Sequence, residues 1–85
     1  MATFRSELIL PSHPDSGAIA RAYARELAAA ARLATEQAEL FAGAVSEACG
    51  AIIRSGFGPA VEEPFHLIAL VTPRALTLAI RERGA

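Results

Sequence analysis

Lysine and tryptophan are absent from this 85-residue chain, and cysteine and methionine each occur once. The lone Cys49 can form no internal disulfide, so no oxidised framework holds the fold. With one cysteine, two distant histidines (His13 and His66) and no CxxC, the ligand set for a structural zinc site is missing. All eight basic residues are arginines against nine acids, giving a net charge of −1. Arg21, Arg25 and Arg32 are interleaved with Glu26, Glu36 and Glu39, which leaves no clustered positive footprint of the kind a nucleic-acid binder needs. Apolar runs such as Leu67 to Val71 fall far short of the ~20 residues of a membrane helix. Met1-Ala2-Thr3-Phe4-Arg5-Ser6-Glu7 holds no hydrophobic signal core, and no phosphate loop of the Walker type is present. A reducing, cytoplasmic setting, with neither nucleic acid nor membrane as partner, is the expectation.

What is there is apolar. Hydrophobic residues make up 53% of the chain and charged ones 20%, a composition that folds. Residues 1–85 have room for one domain. A domain of this size buries only about 60% of its unfolded surface, so this apolar content predicts that some of it packs against another chain, with a homodimer as the default.

Periodicity divides the chain into five elements. Over residues 3–10, Phe4, Leu8 and Leu10 fall on one face at period two and Arg5 and Glu7 on the other, which predicts a half-buried strand ended by Pro11 and Pro14. Asp15 or Ser16 is placed to cap a helix over about 16–33, with Ile19, Tyr23, Leu27, Ala30 and Ala31 as its apolar face. After a joint at Leu33-Ala34, Thr35 and Glu36 open a second helix, predicted over about 36–55. Its stripe runs Leu40 or Phe41, Ala44 or Val45, Ala48, Ile52, and Gly56-Phe57-Gly58-Pro59 stops it. Residues 59–63 read as an acidic loop. Residues 64–72 and 76–82 read as strands of a hairpin turned at Thr72-Pro73-Arg74-Ala75, the first apolar on both faces. The order β-α-α-β-β predicts an α+β fold: two helices on a small, mainly antiparallel three-stranded sheet.

The segment Ser46-Glu47-Ala48-Cys49-Gly50-Ala51-Ile52-Ile53-Arg54-Ser55-Gly56-Phe57-Gly58 carries the most chemical information. It resembles the N-box helix of the GHKL (histidine kinase-like) ATPases, above all the anti-sigma factor serine kinases, which read E-A-x-x-N-A-x-x-H-G-[YF]-G there. Glu47, Ala48 and Gly56-Phe57-Gly58 match without a gap. The preceding Leu-Pro-Ser, the arginine-bearing first helix and the later hairpin occur in the family's order, so the resemblance spans nearly the whole chain. It implies the front half of a Bergerat-type ATPase fold. In that family the glutamate is the general base for the attacking hydroxyl and the asparagine one turn on coordinates Mg²⁺. Residues four apart stack on one side of a helix, which is why such a pair can serve one phosphate. Here Ala51 stands at the Mg²⁺-ligand position and Ser55 at the histidine position. A one-residue gap would put Gly50 and Arg54 there instead, and it restores no oxygen ligand. Without that ligand a kinase loses its main electrostatic clamp on the γ-phosphate.

Ile80-Arg81-Glu82-Arg83-Gly84 resembles the family's adenine box, in which a strand leads into D-x-G-x-G. The resemblance assigns Glu82 to the adenine acceptor, one methylene longer than Asp, and Gly84 to the first glycine. The ATP lid and second glycine box do not follow within these residues. Simpler readings stand beside these: Glu47 as a solvated helix glutamate, Glu82 as a charged strand end, Cys49 as a packing residue, His13 as a loop residue and His66 as a satisfied strand histidine.

The resemblance, with its missing ligand, implies a non-catalytic regulatory interaction module, with no cofactor, no metal and Glu47 as an inactive remnant. Partners of the class that relatives bind, sigma factors or STAS-type antagonists, follow from it. An open sheet edge adds a second copy as a partner. The alternatives are an ATP- and Mg²⁺-dependent serine kinase completed by another chain, or a piece of a longer kinase.

Overall fold

The computed structural model of the chain describes residues 3–55 and 64–82. It contains β1 (Phe4–Leu10), α1 (Ser16–Ala30), α2 (Thr35–Ser55), β2 (Phe65–Val71) and β3 (Leu76–Glu82). The strands form one sheet in the order β1-β2-β3, antiparallel throughout. This is the α+β architecture that the residue pattern predicts.

Period-two patterning becomes a one-sided sheet. The register sets Leu8 and Ile80 on either side of Leu67, and Leu10 and Glu82 on either side of Phe65. On that face Phe65, Leu67, Ala69 and Val71 are fully buried. They pack with Leu10, with Ala20, Ala24 and Leu27 of α1, and with Ala42, Val45 and Cys49 of α2. Both helices therefore cover the same face. Removing each large apolar side chain from water stabilises the fold by about 1.5–3 kcal/mol. The opposite face of β2 is open, with Leu70 45% exposed and His66 and Ile68 half-buried. Burial of β2 on both faces, expected from its composition, does not occur in one copy of the chain.

The helix faces also depart from the simplest hydrophobic reading. In α1 the buried residues are Ser16, Ala20, Ala24, Leu27 and Ala28, whereas Ile19 is 49% exposed and Ala30 faces solvent. Small side chains let two helix backbones approach closely, so the tightest contact falls on alanines and a bulky isoleucine is left at the rim. In α2 the structure selects Phe41 over Leu40, which is 70% exposed, Val45 over Ala44, and Cys49 in place of Ala48.

The chain ends of α1 have their own causes. Asp15 makes no side-chain cap; instead the buried Ser16 hydroxyl donates to the Pro11 carbonyl at 2.7 Å and fastens the helix start to the end of β1. Thr35 is the first residue of α2 rather than the residue before it. α1 stops at Ala30, short of the expected residue 33, because Arg32 adopts φ 60°. The Arg32 N–H donates to Ala29 O at 3.1 Å and the Leu33 N–H to Ala28 O at 3.0 Å. That pair of bonds closes a helix by the Schellman pattern, usually with glycine at the left-handed position. Residues 31–34 then turn the chain back, and a two-pronged Arg25–Glu39 pair at 3.1 and 3.2 Å links the helices.

Candidate functional site

Glu47 projects from the solvent side of α2 into an open groove of ≈ 660 Å³ between the start of α1 and the end of α2. Pro14, Gly17, Ala18 and Arg21 form one wall; Ser46, Glu47, Gly50, Ile53 and Arg54 form the other. A second depression continues along the helix pair past Arg21, Ser46 and Glu47 towards Glu39 and Leu40. Helical spacing explains the wall on α2: residues 46, 50, 53 and 54 lie within one stripe at i, i+4, i+7 and i+8.

Gly50, not Ala51, shares the groove with Glu47, while Ala51 is exposed outside its lining. Neither side chain carries an oxygen. The Arg54 guanidinium folds back over Gly50: a methyl group placed on Gly50 would lie 3.0 Å from Arg54 Nη1. Arg21 is half-buried and Arg54 exposed. The side-chain ion pairs among the described residues are His13–Asp15, Arg25–Glu39 and His66–Glu7, none of which involves Arg21, Glu47 or Arg54. Among the described residues that line it, the groove therefore holds two cationic groups and one carboxylate.

The family's cofactor pair is ATP with Mg²⁺, and these residues do not fit the metal. Magnesium requires near-octahedral oxygen ligands. Among its described residues the groove offers one carboxylate and the Ser46 hydroxyl, with Gly50 a turn beyond Glu47 and the Arg54 guanidinium over it. Among the described residues no three His, Cys, Asp or Glu side chains are grouped for a metal ion.

The other candidate residues lie apart. Glu82 ends β3, half-buried and opposite Phe65 in the ladder, and does not line the groove. Gly84, the side chain of Ser55, the Gly56–Gly58 stop and the 59–63 loop lie outside the described residues. Cys49 is fully buried, and desolvation pushes its thiol up from the usual range, so it stays protonated and acts as a packing residue. His66 is satisfied by Glu7, with Nδ1 2.8 Å from Oε2, on the open face of the sheet. The His13 Nδ1 accepts the Asp15 N–H at 3.1 Å in the loop before α1. The resemblance in the sequence singles out Glu47 but not Arg21 and Arg54, which line the same groove only because the two helices pair. The signal available was the Gly50–Arg54 spacing of four.

Two helices on one face of a β-α-α-β-β antiparallel sheet, with a glutamate on the second helix, make the front half of a GHKL-type fold. The sequence profile of the histidine kinase-like ATPase domain matches residues 10–85, from the end of β1 through all later elements, and the chain belongs to that family. No curated protein and no solved structure matches the chain. No helix among the described residues is long and apolar enough to cross a membrane.

Proposed function

We propose that this histidine kinase-like ATPase domain works as a non-catalytic, regulatory protein-interaction module of the anti-sigma factor kinase type. One observation carries the reading: a helical turn beyond Glu47 there is glycine or alanine where a metal-ligating oxygen is required, with the Arg54 guanidinium across Gly50. A general base without the metal that orients and neutralises the γ-phosphate loses the larger part of phosphoryl-transfer catalysis. The helix pair and the sheet are folded around it, a scaffold on which recognition surfaces would outlast a loss of chemistry. Partners of the sigma-factor or STAS-antagonist class follow from the resemblance in the Glu47 segment. A homodimer is the other proposed association, because β1 and β3 are unpaired edges among the described residues and Ile9 and Leu70 are exposed on the open face.

The test is to mix the chain with a purified sigma factor or STAS-domain protein, ATP and Mg²⁺, and to follow both complex formation and phosphoserine by mass spectrometry. A stable complex without phosphoserine is the expected result. Transfer of phosphate to the partner would establish instead the ATP-dependent serine kinase, the second reading, which the exposed position of Glu47 in an open groove favours.

A further inference from the structure

We propose that two copies of the chain join edge to edge through β1, antiparallel across a two-fold axis at Ser6, so that their sheets become one. The inference rests on the homodimer reading and deepens it, by choosing one edge and one register. β1 and β3 are the two unpaired edges among the described residues. A two-fold axis that sets two identical edge strands antiparallel stands perpendicular to the sheet. Facing residues then share a face, and an edge is self-complementary only where its own side chains match in that arrangement.

β1 carries such a match. Arg5 and Glu7 are both exposed and stand on the open face, beside Leu70 and Ile68 of β2. An axis at Ser6 sets Arg5 of each copy directly opposite Glu7 of the other, so the pair forms twice. Opposite charges directly across two strands stabilise the pairing, and like charges there oppose it. Arg5 belongs to no ion pair among the described residues, and Glu7 meets His66 through Oε2, which leaves Oε1 for a guanidinium. On the helix-covered face the same register brings Phe4 opposite Leu8 of the other copy. Phe4 is 36% exposed and Leu8 half-buried, so both gain cover. Moving the axis to Arg5 or to Glu7 would set like charges opposite each other. Edge charges ordinarily keep strands apart; here their alternating sign selects one partner and one register.

The β3 edge has no equivalent. Thr77, Ala79 and Arg81 share its open face and Leu76, Leu78, Ile80 and Glu82 the other, so no two-fold pairing of β3 with itself places opposite charges face to face. A β1-to-β3 contact would repeat without closing, whereas β1-to-β1 closes after two copies.

Sedimentation equilibrium of the full chain at low salt tests it, on the parent, Arg5→Glu, Glu7→Arg and an equimolar mixture of the two variants. The parent should dimerise. Each variant alone puts like charges at both contacts and should dimerise about tenfold more weakly or worse. The mixture restores opposite charges at both contacts and should form a heterodimer within severalfold of the parent's affinity. Amide exchange of the parent, followed by NMR, should slow in β1 as protein concentration rises and stay unchanged in β3, a readout that needs no variant. Undiminished dimers of both variants, a mixture as weak as its components, or concentration-dependent protection in β3 instead of β1 overturns the β1 register and leaves the homodimer reading standing. A parent that stays monomeric up to its solubility limit overturns both.

Discussion

Arg32→Gly should make the protein more stable although it removes a whole side chain. Arg32 sits at φ 60° immediately after α1, where its Cβ crowds the following carbonyl. That conformation costs a residue with a side chain about 1–2 kcal/mol. Glycine relieves this cost but gives the unfolded chain more freedom, which takes back about 0.4–1 kcal/mol. The net gain is about 0.5–1 kcal/mol. For a domain of this size that raises the melting temperature by about 2–8 °C. Arg32 is exposed and belongs to no ion pair among the described residues, so no lost contact offsets the gain. Urea and thermal melts of the parent, Arg32→Gly and Arg32→Ala measure it. Alanine retains the Cβ and should show no gain. A glycine variant no more stable than the alanine variant would refute the left-handed closure of α1 and the two hydrogen bonds assigned to it.

Phe65→Ala should cost about 3–5 kcal/mol, because Phe65 is fully buried where both helices meet the sheet. That is a large part of the roughly 4–13 kcal/mol expected for a chain of this length, so the urea midpoint followed by circular dichroism should fall steeply in Phe65→Ala and much less in Phe65→Leu. The pair formed by Glu7 and His66 adds acid sensitivity. The His66 hydrogen bond, partly opposed by desolvation and helped by the positive charges of His66, Arg5 and Arg81, holds the Glu7 carboxyl below its ordinary value of 4.5. A depressed carboxylate value contributes stability that is present above the unfolded value and is lost as pH falls through the folded one. Glu7→Gln should therefore flatten the urea midpoint's fall below about pH 4.5, and a midpoint that falls just as steeply in the variant would count against the pair.

The strands, both helices and the hairpin were legible because their apolar residues recur at periods of 2 and 3.6. What was not legible has identifiable physical causes. Hydropathy points to Ile19 as a core residue, but helix pairing through Ala20, Ala24 and Ala28 turns it to the rim. The apolar sequence of β2 reads as buried on both faces, and only the arrangement of layers shows that both helices lie on one face, leaving Ile68 half-buried and Leu70 exposed on the other. The end of α1 carries no glycine to announce it, since an arginine occupies the left-handed position. At the candidate site, Glu47 and the missing oxygen beyond it are visible in the sequence. Both alignments, with Ala51 or with Gly50 a turn beyond Glu47, are possible on paper, and that Gly50 lines the groove while Ala51 does not comes only from the structure. Arg21 and Arg54 are 33 positions apart, and no local pattern brings them together.

Turnover tests the proposed loss of chemistry at Glu47 most directly. ATP hydrolysis and phosphotransfer should be followed with Mg²⁺ for the parent chain and for Glu47→Ala, each alone and with a bound protein partner. The two chains should be indistinguishable from each other and from a protein-free blank. Turnover by the parent that disappears in Glu47→Ala would contradict the account, for it would show a working general base on α2.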